Sequence, residues 1–197
     1  MKLFTIIIIF FLNFNATATA DLQIFLKNKW KLSKTQMRYF NNAKILAKSE
    51  VDDFDDKQSF GMKALVKHPR KCSKALRKLS LLEQYQDWIN FIKMSKYDPK
   101  NRLFTIKADH PLLPFPMIVH IIVDRPTKEG RYPFVFPTGM FRGLSGYFEI
   151  REFNKKCVFY AHSNWIGKKT KIPNIVIEIF SETLSKIGGE ILIRKST

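Results

Sequence analysis

HPLLPFPMIVHIIVDRP, residues His110 to Pro126, holds no charged side chain between His110 and Asp124, in a chain whose formal net charge is +17. A membrane span, a buried strand and one wall of a pocket all fit that composition. Prolines 111, 114 and 116 rule out a continuous helix, because each removes a backbone donor and clashes with the preceding turn. A transmembrane helix is thereby excluded. Met117–Val123 reads instead as a strand apolar on both faces, so either both faces are covered or one lines a cavity.

The flanks read as further strands. Upstream, KMSKYD and RLFTIKAD enclose the turn signal Pro99-Lys100-Asn101 and predict a hairpin. Downstream, TKEGRY predicts a turn and YPFVFP a strand. GYFEIREF alternates Phe148 and Ile150 against Glu149 and Arg151, and Asn154-Lys155 turns the chain into CVFYAHSNWIG. The closing run PNIVIEIFSETLSKIGGEILIRK places Pro173 at a helix start, with Val176, Ile179, Phe180, Leu184 and Ile187 three or four apart. It predicts a long C-terminal helix, weakened at Gly188-Gly189.

Towards the other end, KTQMRYFNNAKILAK begins as a short helix with Met37 and Phe40 three apart, and Lys44 to Val51 reads as an entering strand. The acidic VDDFDD (Val51 to Asp56) reads as a turn. SFGMKALVK sets Phe60, Met62, Ala64 and Val66 against Gly61, Lys63, Leu65 and Lys67, a strand with one mostly apolar face. In HPRKCSKALRKL the period changes: Cys72, Ala75, Leu76 and Leu79 form an apolar stripe and Lys71, Lys74 and Lys78 another face. Ser80 and Glu83 sit where a capping box would open a second helix, SLLEQYQDWINFI, with Leu82, Tyr85, Trp88, Ile89 and Ile92 inward.

The first residues, MKLFTIIIIFFLNFNATATAD, combine one lysine, an apolar run from Leu3 to Leu12 and the small residues Ala18-Thr19-Ala20. These are the parts of a secretory signal peptide cleaved before Asp21; the run is shorter than the roughly 20 residues that span a bilayer. The mature chain of about 177 residues, one domain by length, is expected in a bacterial periplasm or outside the cell. Cys72 and Cys157 are too few for a disulfide scaffold, although export permits one bridge. His68, His110, His120 and His162 show no close ligand spacing, so neither metal nor cofactor is expected. The basic excess points to nucleic acid or an anionic surface, and export favours anionic lipid or an envelope polymer over nucleic acid. The alternative is a generic solvated surface.

The order is strand, two short helices, about six strands with short turns, then one long helix. An antiparallel sheet built of hairpins needs that last helix over its apolar face, an α+β arrangement. FGMKALVKHPRKCSKALRKL, LLEQYQDWINFIKMSKY and the LPFP…FRGLSGYFEI stretch resemble the START-like superfamily of polyketide cyclases, dehydrases and lipid-transport proteins, over roughly Ser59 to Ile193. Tyr85 and Trp88 resemble the Tyr–Trp pair on that family's second helix. The resemblance implies a helix-grip fold: a curved antiparallel sheet of about six to seven strands wrapped around the C-terminal helix. Residues 57–197 would form the domain, 21–56 an extension with a helix and an edge strand, and 1–20 the leader.

The resemblance also implies a cavity between the last helix and the sheet, with Met117–Val123 as an inner strand. Alternation and helical spacing then nominate Phe104, Ile106, Val119, Ile121, Phe148, Ile150, Phe180 and Leu184 for its lining. Lys71, Lys74 and Lys78, with Lys168, Lys169 and Lys171 of GKKTK, are nominated for a basic rim that would select an anionic end or dock a membrane surface. The first and last core strands pair in this fold, which would bring Cys72 and Cys157 together as a bridge or as two buried thiols.

Catalytic candidates are few. His120 and Asp124, four apart on one strand face, are an acid/base pair only if that face lines the cavity; otherwise His120 is a packed or hydrogen-bonded core histidine and Asp124 pairs with Arg125 or a turn amide. Tyr160, which shares a face with His162 and Asn164, is a further candidate. The expected function is a monomeric, exported, non-enzymatic binder of a lipid, fatty acid or isoprenoid. A cyclase- or hydratase-like enzyme and a basic envelope interaction protein without a ligand are the alternatives.

Overall fold

Residues 21–111 and 115–197 are described by a computed structural model; the expected leader over 1–20 lies outside the described residues. Helix α1 covers residues 21–29 and α2 Lys34–Asn41. Strands β1 (Leu46–Phe54) and β2 (Lys57–His68) follow, then α3 (Cys72–Leu79), a 3-10 turn (Leu82–Gln84) and α4 (Tyr85–Trp88). Six strands complete the sheet: β3 (Ile92–Asp98), β4 (Leu103–Ala108), β5 (Met117–Val123), β6 (Gly130–Val135), β7 (Ser145–Phe153) and β8 (Lys156–Lys168). Helix α5 (Asn174–Ser196) closes the chain. Among the described residues no helix is long and apolar enough to cross a membrane.

One antiparallel sheet of eight strands runs β1-β2-β8-β7-β6-β5-β4-β3. Seven of these strands, β2 to β8, lie within 57–197, as expected, and the edge strand expected from 21–56 is β1, which pairs with β2 along its whole length. VDDFDD is also more strand than turn: β1 continues to Phe54 and only Asp55-Asp56 turn the chain. Its edge is blunted by α5. The Ser49 and Val51 N–H groups donate to the carboxylates of Glu182 and Glu178 at 2.9 and 2.8 Å, one helical turn apart, which protects an edge otherwise open to pairing.

The opposite edge is closed by the segment expected to be a second long helix. That helix ends at Trp88, with Ile89 already extended and Ile92 in β3. Ser80 closes α3 instead of opening the next helix. Ser95 and Gln86 exchange hydrogen bonds at 2.9 and 3.1 Å, tying α4 to the outside of β3. Glu83, placed by sequence in a capping box, instead pairs with Arg125, which also donates to the Ser80 carbonyl at 2.6 Å.

The two faces of the sheet are covered differently. Leu46, Leu65, Phe153, Val158 and Tyr160 point outward and pack under α1 and α2, chiefly against Phe25, Leu26 and Phe40. The inner face meets α5, α3 and α4. The stripe Cys72, Ala75, Leu76 and Leu79 is buried as its spacing predicts, on Ile150 and Cys157. Cys72 and Cys157 are disulfide-bonded, with Cα atoms 4.6 Å apart. Helix α5 runs unbroken through Gly188-Gly189; a Cβ on Gly189 would meet Ile45 at 3.0 Å, so the small residues let the helix cross close to the start of β1.

His68, fully buried at the end of β2, fastens the C-terminus. Its Nδ1 accepts from the Arg70 N–H at 3.0 Å, so the proton sits on Nε2, 3.1 Å from the Ser196 hydroxyl. Burial holds the imidazole below its ordinary value. A depressed histidine stabilises the fold fully above its unfolded value, near 6.5, and loses that contribution as pH falls through it towards the folded value. The unfolding free energy of the wild type, from urea titrations, is therefore expected to fall between about pH 7 and pH 5, by up to about 1.4 kcal/mol per pH unit for this one proton. His68→Gln should be flatter over the same range; an unchanged slope would show that His68 is not its source.

Candidate functional site

Beyond the disulfide cluster the inner face is not filled. A cavity of about 400 Å³ lies between α5 and the sheet, within the range of small-molecule sites. Its floor is Ile106 and Ala108 of β4 with Met117 and Val119 of β5, and its roof is Ile177, Phe180 and Leu184 of α5. Phe91 and Ile92 close one side, and Phe136, Met140 and Phe141 of the β6–β7 loop the other. Among the described residues the wall carries two polar side chains, Ser181 and Ser185, one turn apart on α5, and no ionisable group.

Among the described residues the sheet parts beside the cavity. β5 registers with β6 only at Ile122–Val135 and Val123–Phe134, after which the two strands part. Met117 and Val119 flank one side of that gap, and Phe136 and Met140 the other. Strand β5 thus has its helix-facing side on the cavity, where alternation alone had left two options for its apolar faces. Ile118, of opposite parity, is 56% exposed on the outer face.

The expected lining divides. Ile106, Val119, Phe180 and Leu184 come together around the cavity. Phe104 and Ile121 belong to a packed cluster with Leu82 and Val123. Tyr85 and Trp88 seal that cluster: Tyr85 lies tilted against Trp88, meets Phe104 edge to face and donates to the Leu79 carbonyl at 2.6 Å, and burial pushes its phenol well above the ordinary value. Ile150 is consumed by the core under α3. Phe148 stacks on Phe134 at 4.8 Å and remains 39% exposed on the inner face. Sequence reasoning missed Ala108 and Met117, two residues from nominated positions on the same strand faces, and Ser181, one position beyond Phe180.

The acid/base candidates face away from the cavity. His120 pairs across the sheet with Thr105, 3.0 Å from its hydroxyl, on the face opposite Ile106 and Val119. Asp124 is an exposed partner of Arg102 at 3.5 Å. Tyr160 lies under α1 on the outer face, its phenol pushed up to about 12 by burial, with Tyr147 and Glu149 adding to the shift. Beside it burial disfavours the Glu149 carboxylate, but Lys29 and Arg151, both at 2.8 Å, outweigh that and hold it below its usual value. His162, facing Tyr147, is held below its ordinary value by burial and by Lys63, Lys29 and Arg131. Alternation placed these residues on shared faces; those faces are outside the cavity.

The nominated rim splits as well. Lys168, Lys169 and Lys171 precede Ile172, which lines the cavity, but Lys169 is paired with Asp53 at 2.6 Å. Lys71, Lys74 and Lys78 ride on α3, which packs against Leu192 near the far end of α5, and Lys78 donates to the Lys195 carbonyl at 3.0 Å. At 1.5 Å per residue that carbonyl is roughly 20 Å along the helix from Ser181. The six lysines therefore do not ring one opening.

Comparison with known proteins bears on the fold. No family model and no curated protein sequence matches the chain. Among solved structures, a START superfamily protein from Mycobacterium smegmatis is similar with a TM-score of 0.55 at 12% identity, over 69% of this chain and 96% of that one. The Zhui aromatase/cyclase from a Streptomyces species gives 0.56 at 6% identity, over 70% and 93%. Ara h 8.0201 gives 0.54 at 10% identity, over 70% and 97%. The chain has a START-like, helix-grip fold.

Proposed function

We propose that this chain is an exported carrier of a neutral, largely apolar ligand held between α5 and the sheet. The observation that supports this most directly is the cavity of about 400 Å³, lined by apolar side chains and two serines and reached where β5 and β6 part. Such a wall holds its ligand by burial, about 25 cal/mol per Å² of apolar area. A carboxylate within it would lose its hydration with no cation to replace it, which favours an isoprenoid or a lipid with a hydroxyl or carbonyl over a fatty acid. Export rests on the leader-like first twenty residues and agrees with the buried disulfide, since such bonds persist in oxidising compartments.

The test is native purification of the exported chain followed by mass spectrometry of its organic extract. One neutral lipid or isoprenoid in stoichiometric amount is the expected result. An empty extract, with no thermal shift from a panel of neutral lipids, would overturn the carrier reading.

The serines give a second check. Among the described residues Ser185 has only the weak Met62 sulfur contact at 3.9 Å. The double variant S181A/S185A should weaken binding of 2-naphthol about five-fold, the worth of one net hydrogen bond, and leave naphthalene unaffected. Equal losses for both probes would show that the serines shape the wall without bonding to the ligand.

A further inference from the structure

Basic side chains gather at the end of the sheet that holds the disulfide. RKCSKALRK, Arg70–Lys78, carries five basic side chains and no acid, all of them exposed on the outer side of α3. Lys155 and Lys156 lie beside this stretch: Lys156 Nζ donates to the Pro69 carbonyl at 2.6 Å, and the Cys157 N–H to the Arg70 carbonyl at 2.9 Å. Arg194 and Lys195 join it through the Lys78–Lys195 contact. Two acids lie in this pole: Glu152 accepts from the Cys72 N–H at 2.9 Å, and Glu129 accepts from the Glu152 N–H at 2.7 Å. Burial first, and then the nearby Lys156 ammonium, lower the pKa of Lys67, as expected where like charges crowd. The other end of the sheet carries Asp52, Asp53, Asp55 and Asp56, offset there by Lys57, Lys168, Lys169 and Lys171.

We propose that the disulfide pole is an electrostatic docking surface for an anionic phospholipid bilayer, separate from the cavity mouth. Three observations favour a bilayer over a nucleic acid. The basic side chains of α3 recur at helical spacing along an exposed helix face. None of the exposed large apolar residues falls within 66–79, 154–158 or 192–197, so the pole lacks the aromatic platforms on which single-stranded bases stack. Export, on which this rests as proposed above, would also bring the chain to a lipid-bounded compartment. Binding here is peripheral, without insertion, and it leaves the gap between β5 and β6 facing away from the bilayer.

The test is co-sedimentation of the full chain with phosphatidylcholine vesicles containing phosphatidylglycerol. Each basic side chain near such a surface contributes about five-fold in affinity, so K71Q/K74Q/R77Q should lose roughly 100-fold. Its buried stripe is untouched, and circular dichroism should confirm an unchanged fold. A second variant on another element, R194Q/K195Q, should lose about 25-fold. K168Q/K171Q, on the cavity side, should bind as the wild type does. Salt near 1 M, where the Debye length shrinks to about 3 Å, should release the wild type. Equal binding by the triple variant, an equal loss in K168Q/K171Q, or displacement from vesicles by duplex DNA at matched phosphate would each overturn the proposal.

Discussion

Replacing both cysteines by alanine, C72A/C157A, is expected to lower the unfolding free energy by about 4.5 kcal/mol through chain entropy alone. The bridge joins residues 85 apart in sequence, and closing a loop of that length removes much of the unfolded chain's freedom. Its place in the fold adds to the effect. Cys72 opens α3 and Cys157 opens the inner face of β8, and both are buried among Ala75, Leu76, Leu79 and Ile150, so the double variant also leaves a small void. Equilibrium denaturation of wild type and variant at one pH measures the loss. Values above the entropic figure would come from the void; a loss below about 1 kcal/mol would mean that the unfolded chain is already confined at these positions. Adding a reductant to the wild type during unfolding should reproduce most of the shift without any mutation.

The parts of this fold legible in the sequence are those whose pattern is set by a single partner. The stripe of α3 needs only the sheet beneath it, and its four positions are all buried. The β3–β4 hairpin needs only its turn, and Asp98 supplies it by accepting from the Lys100 N–H at 2.9 Å. The three prolines of HPLLPFP left a strand as the one reading for Met117–Val123, and a strand it is. Faces were harder, because period-2 alternation says which residues point together and is silent on what they point at. His120 and Asp124, and Tyr160 with His162, were placed on shared faces, yet nothing in their spacing could reveal that α1 and α2 cover one side of the sheet. Leu22, Phe25 and Leu26 have helical spacing that predicts an inward stripe, and they form part of that outer cover. Glu83 shows a different limit. Its capping-box spacing was sound locally, but a tertiary ion pair with Arg125 outweighs a local cap.

Ala108→Phe should abolish most ligand binding without weakening the fold. Ala108 sits between Ile92 and Met117 in the sheet register and lines the cavity, so a phenyl group there projects into free space instead of into packed neighbours. In the unliganded protein it fills a void, and cavity surface removed in this way is neutral or stabilising. A ligand in the same space would forfeit on the order of 100 Å² of apolar contact, about 2.5 kcal/mol, or close to 100-fold in affinity. Titration with the neutral fluorophore N-phenyl-naphthylamine gives the affinity, and a thermal melt gives the stability. Ile118→Phe is the matched control, since it adds an aromatic ring to the adjacent strand on the exposed outer face and should leave both readings where they are. Loss of binding with an unchanged or higher melting temperature in Ala108→Phe alone would place the ligand between α5 and β4. Full binding in that variant would place it elsewhere, and the cavity would then be an interior void with no ligand of its own.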